Sequence, residues 1–404
     1  MHVTRLRTAT VVMAIGAVAL AAACGSSDKT PSSSNTTSPS GSAVELTPAS
    51  FTADFSAMAQ LKALAAKGDG LIGVLLPDTT TSARYESYDR PYLKQAFEAA
   101  GLSSDQFKID NAQGSATTMQ TQAEADITAG ASVLLVDALD SGSGAAIEAA
   151  AKAKGVAVID YDRLTKGGPD DRIYVSFDNV NVGKLIGKGE VDCIKAWKVN
   201  KPNVLVMSGD PTDNNAKLFA QGYNSVLKPF FDDNSYVKAG EPAGTWTPSV
   251  AATTFEQQYT AHPDINAVVT PNDDNANAVI AQLQKLEIPA RTFPTTGQDA
   301  SPVGLQNILK GYQCGTVYKP ISAEAQAAVA IALYLRAGEE PPAALINGTT
   351  KDDETNKDVK SVLLIPKWVT TENMQSTVIK DKWVKASVLC VNAVKKTCVA
   401  AGIK

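Results

Sequence analysis

The chain of 404 residues carries two histidines and five cysteines, and aromatic residues make up only 6% of it. His2 sits in a leader-like segment, which leaves His262 as the single imidazole of the body. A His–carboxylate relay or a multi-histidine metal site is hard to assemble from that supply. An excess of basic residues is missing too. The 37 Lys and Arg against 42 Asp and Glu give a net charge of -5, and a pI near 5.3 excludes broad electrostatic attraction to nucleic acid. There is no GxxxxGK[ST] phosphate loop and no GxSxG elbow, so the sequence offers no motif for P-loop nucleotide hydrolysis or serine-esterase chemistry.

The opening residues are MHVTRLRTATVVMAIGAVALAAAC, in which Arg5 and Arg7 precede an apolar run from Val11 to Ala23. That run is short for a bilayer span, and its positive start and small-residue end describe a secretory signal peptide over residues 1–23. Ala21-Ala22-Ala23-Cys24 resembles a bacterial lipobox, with Ala21 where Leu is usual, and predicts lipidation of Cys24. The stretch that follows is nearly all Ser, Thr, Pro, Gly and Asn and cannot bury apolar surface; residues 24–66 are expected to be an anchor and tether running into a first helix. Cleavage would also remove Arg5 and Arg7, making the remaining chain more acidic by two charges. The expected location is the cell membrane, lipid-anchored on its extracytoplasmic face.

Four cysteines remain, at 193, 314, 390 and 398, and in an exported chain an even count favours disulfides over thiol chemistry. Three pairings are open; the closeness of Cys390 to Cys398 favours that pair and leaves Cys193 with Cys314. No CxxC spacing or neighbouring histidine argues for a metal site, so neither metal nor cofactor is expected.

Along the body, apolar runs alternate with helical stretches. Strands are expected at Leu71–Leu76, Ser132–Val136, Val156–Tyr161, Ile173–Phe177, Asn203–Met207, Ala267–Thr270, Gly315–Tyr318 and Val362–Ile365. Helices are expected over Ser115–Ala129, with Ser115 as cap and Gly130 as stop, over Ser141–Lys154, and from about Ser322 to Ala337. Continuous apolar strands separated by helices indicate parallel sheets covered on both faces. The expected fold class is α/β, with two doubly wound, Rossmann-like lobes.

In such sheets ligands bind beyond the carboxyl ends of the strands. Arg84-Tyr85, Asp162-Arg163, Asp213 to Asn215, Asn272-Asp273, Gln298-Asp299 and Lys319 all fall there. Singly, each has an ordinary explanation as a cap, turn or ion-pair residue. Their recurrence at one edge points to a shared polar pocket. Carboxylates accept from hydroxyls, Arg and Lys donate to them, and Asn does both, which suits a sugar. Charges among Arg84, Arg163, Lys319, Asp162, Asp213 and Asp299 cancel, which fits an uncharged polyol. Tyr85 and Trp246 are candidates for covering the apolar face of a sugar ring, or equally for packing a core or hinge.

The segments IDYDR (159–163), YVSFDN (174–179), DNNAKLF (213–219), LKP (227–229), PND (271–273), GQDA (297–300), TVYKP (316–320) and TVIKD (377–381) run in order through the body. Together they resemble the sugar-binding proteins of ABC importers, a type I periplasmic-binding family, and within it the D-xylose-binding branch. The resemblance implies a three-crossing hinge near residues 165–175, 319–321 and 360–366. It implies an N-terminal lobe of residues 67–172 and 320–360, and a C-terminal lobe of 173–319 and 361–404 with an extension. Carried over residue by residue, it makes Arg84 and Arg163 grip ring and hydroxyl oxygens, with Asp162 beside them. Asn215, Asn272, Asp299 and Lys319 complete the shell and Trp246 stacks; Tyr85 stands where the family has Trp. The implied protein is a monomeric receptor that captures a monosaccharide, D-xylose or a related aldose, and delivers it to a membrane permease. It would be neither an enzyme nor a nucleic-acid binder. A sugar-sensing receptor of the same fold is the alternative, and a glycoside-active enzyme using Asp162 and Asp299 a more distant one.

Overall fold

The computed structural model describes residues 46–404, apart from Thr80, Thr81 and Ala83 and the side chain of Asn392. The leader, Cys24 and the tether up to residue 45 lie outside the described residues. In chain order the elements begin with α1 (Lys62–Ala65), β1 (Leu71–Leu76), α2 (Arg90–Ala99), β2 (Phe107–Asn111), α3 (Ala116–Thr128), β3 (Ala131–Val136), α4 (Ser141–Ala153), β4 (Ala157–Tyr161) and β5 (Ile173–Phe177). There follow α5 (Asn179–Ala196), β6 (Asn203–Val206), α6 (Asn214–Asp232), β7 (Val237–Gly240), α7 (Pro248–Ala261), β8 (Ala267–Val269), α8 (Asp273–Lys285), α9 (Pro302–Lys310) and β9 (Thr316–Tyr318). The chain ends with α10 (Ile321–Arg336), β10 (Gly348–Asp352), β11 (Lys357–Leu364), β12 (Lys367–Val369), α11 (Ala386–Leu389) and α12 (Lys395–Ala400).

Two main sheets and a separate two-stranded pair divide the strands. The larger has seven strands in the order β10-β11-β5-β4-β3-β1-β2, parallel except for the antiparallel β10–β11 pair. Its strands read as unbroken apolar runs because both faces are covered. Val133 and Leu135 of β3 enter the large core, whereas Leu134 and Val136 enter a second core on the opposite face. α10 lies against β3, β4 and β5 and is buried at every residue except Tyr334 and Leu335, as befits a helix apolar all round. The smaller sheet is β7-β6-β8, also parallel. Single bridges at Val268–Thr295 and Gln298–Val317 carry it towards the antiparallel β9–β12 pair. α5 and α6 meet at backbone distance in this lobe: a Cβ on Gly183 would lie 2.0 Å from the Phe219 carbonyl oxygen, and one on Gly222 2.2 Å from that of Val180.

Two sequence expectations need correction. The boundary between Arg172 and Ile173 falls one strand early, because β5 pairs with β4 and β11 inside the seven-stranded sheet. The break at residue 360 likewise cuts β11, all of which belongs to that sheet. A buried apolar strand reads the same from either lobe, so the sequence pattern could not assign it. The chain crosses between the sheets after Phe177, between Tyr318 and Ile321, and between Leu364 and Lys367. Cys193 of α5 is bonded to Cys314 just before β9, and Cys390 to Cys398 in the C-terminal segment.

Candidate functional site

Several carboxyl strand ends and the second crossing deliver polar residues to one place. Arg84 and Tyr85 open the turn leading into α2, after β1. Asp162 and Arg163 follow β4, Asp213 caps α6 with Asn215 in its first turn, and Asn272 caps α8. Trp246 precedes α7, Asp299 precedes α9, and Lys319 sits in the second crossing. All nine residues singled out in the sequence (Arg84, Tyr85, Asp162, Arg163, Asn215, Trp246, Asn272, Asp299 and Lys319) line a single narrow cavity. Asp213 lines it as well, together with Ser82, Phe219 and Gln298.

Its wall on the first lobe is an ionic lattice. Arg84 donates through Nε and Nη2 to both oxygens of Asp89 (2.9 and 2.7 Å), through Nη1 to Asp162 Oδ1 (2.9 Å), and through Nη2 to Glu324 Oε2 (2.9 Å). Tyr85 donates its hydroxyl to Asp162 Oδ2 (3.2 Å) and accepts from Arg163 Nη2 (2.9 Å), with its ring 5.2 and 5.5 Å from the two guanidiniums. Burial would push the Asp162 carboxyl up, but Arg84, Lys319 and Arg163 outweigh it and hold the group well below the usual carboxylate range. Lys319 Nζ stands 3.6 Å from both Asp162 Oδ1 and Asp299 Oδ1, too far for a hydrogen bond to either.

On the second lobe, Asp213 accepts from the Asn215 backbone N–H (2.8 Å) and from Trp246 Nε1 (3.0 Å). The Trp246 ring fits only because residue 209 is glycine; a Cβ there would lie 2.2 Å from it. Asn272 uses its side-chain oxygen to cap Asn275 (2.9 Å), so the ordinary cap reading and the pocket position are both true of it. Asn215 donates to the Asp162 carbonyl (2.9 Å) and accepts from Tyr174 and Asn179 (3.0 and 2.9 Å), tying the lobes together. Arg163 Nε also approaches Asp213 Oδ2 to 3.5 Å across the cleft. These contacts make the arrangement a closed one.

Two of the acids hold unusual backbones. Asp162 has φ +59° and Asp299 φ +94°, the left-handed region that non-glycine residues rarely occupy and that concentrates at ligand sites. Asp299 Oδ1 has no hydrogen-bond partner among the described residues, and burial raises its carboxyl above the usual value. Sequence reasoning missed a deeper layer of acids, Asp89, Asp137 and Glu324, which makes the cluster around Arg84 and Arg163 less balanced than the six expected charges suggest. Burial pushes Asp137 and Glu324 well up, favouring their neutral forms. Asp137 carried a legible signal, the end of β3; Glu324, inside a helix, carried none. Chemically, the cavity presents carboxylate acceptors interleaved with guanidinium, ammonium and amide donors, with no imidazole or thiol among its lining residues.

Comparison with known proteins agrees with this geometry. Residues 72–340 match the periplasmic binding protein domain. The chain is 36% identical to the D-xylose-binding periplasmic protein of Escherichia coli (strain K12) over 70% of its own length and 82% of that protein's. It is 30% identical to the multiple sugar-binding periplasmic receptor ChvE of Rhizobium radiobacter, covering 79% and 92% of the two chains. Among solved structures, an ABC transporter solute-binding protein from Clostridium phytofermentans with bound β-D-glucose superposes with a TM-score of 0.70 and 27% identity, over 79% and 99% of the chains.

Proposed function

The chain belongs to the periplasmic binding protein family, and on that premise we propose that it is the solute receptor of an ABC sugar importer. It works outside the cytoplasm, closes on a monosaccharide, D-xylose or a related aldose, and presents it to the membrane permease. The observation that carries this reading is the spacing of charges in the cavity. Lys319 stands 3.6 Å from two carboxylates, and Arg163 stands 3.5 Å from Asp213. A hydroxyl accepts one hydrogen bond and donates another, so a polyol inserted between such partners satisfies both at once.

In this reading Arg84, Arg163 and Lys319 donate to sugar oxygens, and Asp162, Asp213 and Asp299 accept from sugar hydroxyls. Asn215 and Asn272 use their remaining amide hydrogens, and Trp246 with Phe219 covers the C–H face. Tyr85 acts through Asp162 and Arg163, which it joins. The ligand adds contacts to both lobes in the closed form only, and so shifts the hinge equilibrium towards closure. The same groups argue for holding rather than hydrolysing: Asp162 is kept ionised by three cations and is a poor proton donor. Titration calorimetry of the full chain against xylose, ribose, arabinose, glucose and galactose tests the proposal. Binding of at least one aldose is expected, and an absence of heat with all five would overturn it.

We further propose that Cys24 carries a lipid that keeps the receptor beside its permease, raising effective concentration without altering any contact. Cys24→Ser should then move the protein from the membrane fraction to the soluble fraction; unchanged fractionation would refute the anchor.

A further inference from the structure

In the closed arrangement, with Arg163 against Asp213 and Asn215 bonded to Asp162, the main cavity is the tighter of two adjoining spaces. Beyond it lies a second chamber of about 120 Å³. Ser82, Arg84 and Asp299 line both spaces, so the two adjoin across those side chains. The chamber is built from both lobes: Ser87 and Tyr88 come from the turn before α2, and Asp273, Ser301 and Pro302 from the starts of α8 and α9.

Its surface is preordered. The Tyr88 ring stacks on Trp383 with centroids 3.6 Å apart and planes within 12°, and Trp383 Nε1 donates to the Ala300 carbonyl at 2.8 Å. Tyr92 stacks on Tyr88 as well, at 6.3 Å. With its ring held in that way, Tyr88 offers its phenol, which burial, with smaller contributions from Tyr92 and Asp299, pushes up to about 12. Ser82, Ser87 and Tyr88, with Arg84 and Asp299, supply its polar lining, while the larger part of the chamber's surface is apolar.

We propose that this chamber is a second sugar subsite, and that the receptor takes short saccharides or glycosides whose first ring sits in the main cavity and whose second unit passes Arg84 and Asp299 into the chamber. The inference rests on the reading that the main cavity holds a sugar. A longer ligand needs space that survives closure, and the chamber is present with the lobes already in contact.

Calorimetry of the full chain separates the possibilities. The probes are D-xylose and D-glucose against xylobiose, cellobiose and maltose, with the wild type and Ser87→Trp. Ser87 is exposed, lines the chamber and does not line the main cavity, so a Trp there fills the second space alone. The expected result is a disaccharide binding within tenfold of the preferred monosaccharide. Ser87→Trp should then weaken the disaccharide at least tenfold and change the monosaccharide less than twofold, a response that also certifies the fold. Monosaccharide binding without any disaccharide binding, or equal losses for both ligands in Ser87→Trp, overturns the subsite and leaves the first reading standing. No binding of any monosaccharide or disaccharide removes both.

Discussion

Lys319 and Asp299 are the two charged groups of the cavity that the protein leaves least satisfied. Lys319 has three donors and carboxylates only at 3.6 Å, while Asp299 Oδ1 has no hydrogen-bond partner among the described residues. Asn tolerates the left-handed backbone at position 299, so Asp299→Asn should fold normally and lose one charge-assisted bond to the ligand. The expected cost is about 1.5–3 kcal/mol, a loss of affinity of roughly 10–100-fold by calorimetry with an unchanged melting temperature. Glu190 makes a different prediction. It is buried in α5 with neither oxygen bonded among the described residues, and burial alone pushes its carboxyl well up. The folded state therefore keeps a proton that the unfolded state releases above about pH 4.5. Stability from this group is present at low pH and falls as pH rises from the unfolded value towards the folded one. Glu190→Gln, which has no proton to lose, should flatten the pH dependence of unfolding between pH 5 and 8 by up to about 1.4 kcal/mol per pH unit, measured by denaturant titration. A slope equal to the wild type would count against the protonated form.

At the scale of elements, the second lobe has the smaller sheet and is braced by α5. The Cys193–Cys314 bond closes a loop of 121 residues between that helix and β9, whereas Cys390–Cys398 closes one of 8. Chain entropy assigns more stabilisation to the longer loop, roughly 4–5 kcal/mol against about 2–3. Replacing Cys193 and Cys314 by alanine should thus lower the melting temperature more than replacing the other pair. Gly222→Val, placed against the α5 backbone, should destabilise by at least the ~1–3 kcal/mol of an overpacked core site. The same elements show what the sequence made legible. Eight central or crossing strands stood out because burial on both faces demands continuous apolar residues, as in LIGVLL of β1. The strands β2, β7, β10 and β12 did not: FKIDN, VKAG and GTTKD lie at sheet edges and carry charge there, and KWV is only three residues long. Cleft residues were legible through their place after strands and their local motifs. Asp89 and Glu324 were not, because an acid within a helical stretch looks like a solvated one until the tertiary fold sets it against Arg84.

For the molecule as a whole, the lobes meet through Asn215–Asp162, Arg163–Asp213 and the Tyr88–Trp383 stack, and they separate only by bending at three crossings. In solution, addition of the preferred sugar should shift the small-angle scattering profile to a smaller radius of gyration and alter Trp fluorescence through Trp246 and Trp383. Saturating ligand with neither change would contradict hinge closure. The crossings carry one more consequence, which concerns time. Tyr174 of β5 pairs with Ser361 of β11, so the seven-stranded sheet waits for residues that leave the ribosome near the end of synthesis. The strands of the β7-β6-β8 sheet are all available earlier. Pairing across so much chain is slow to form. A nascent chain with this topology cannot finish its first lobe before nearly all of it exists.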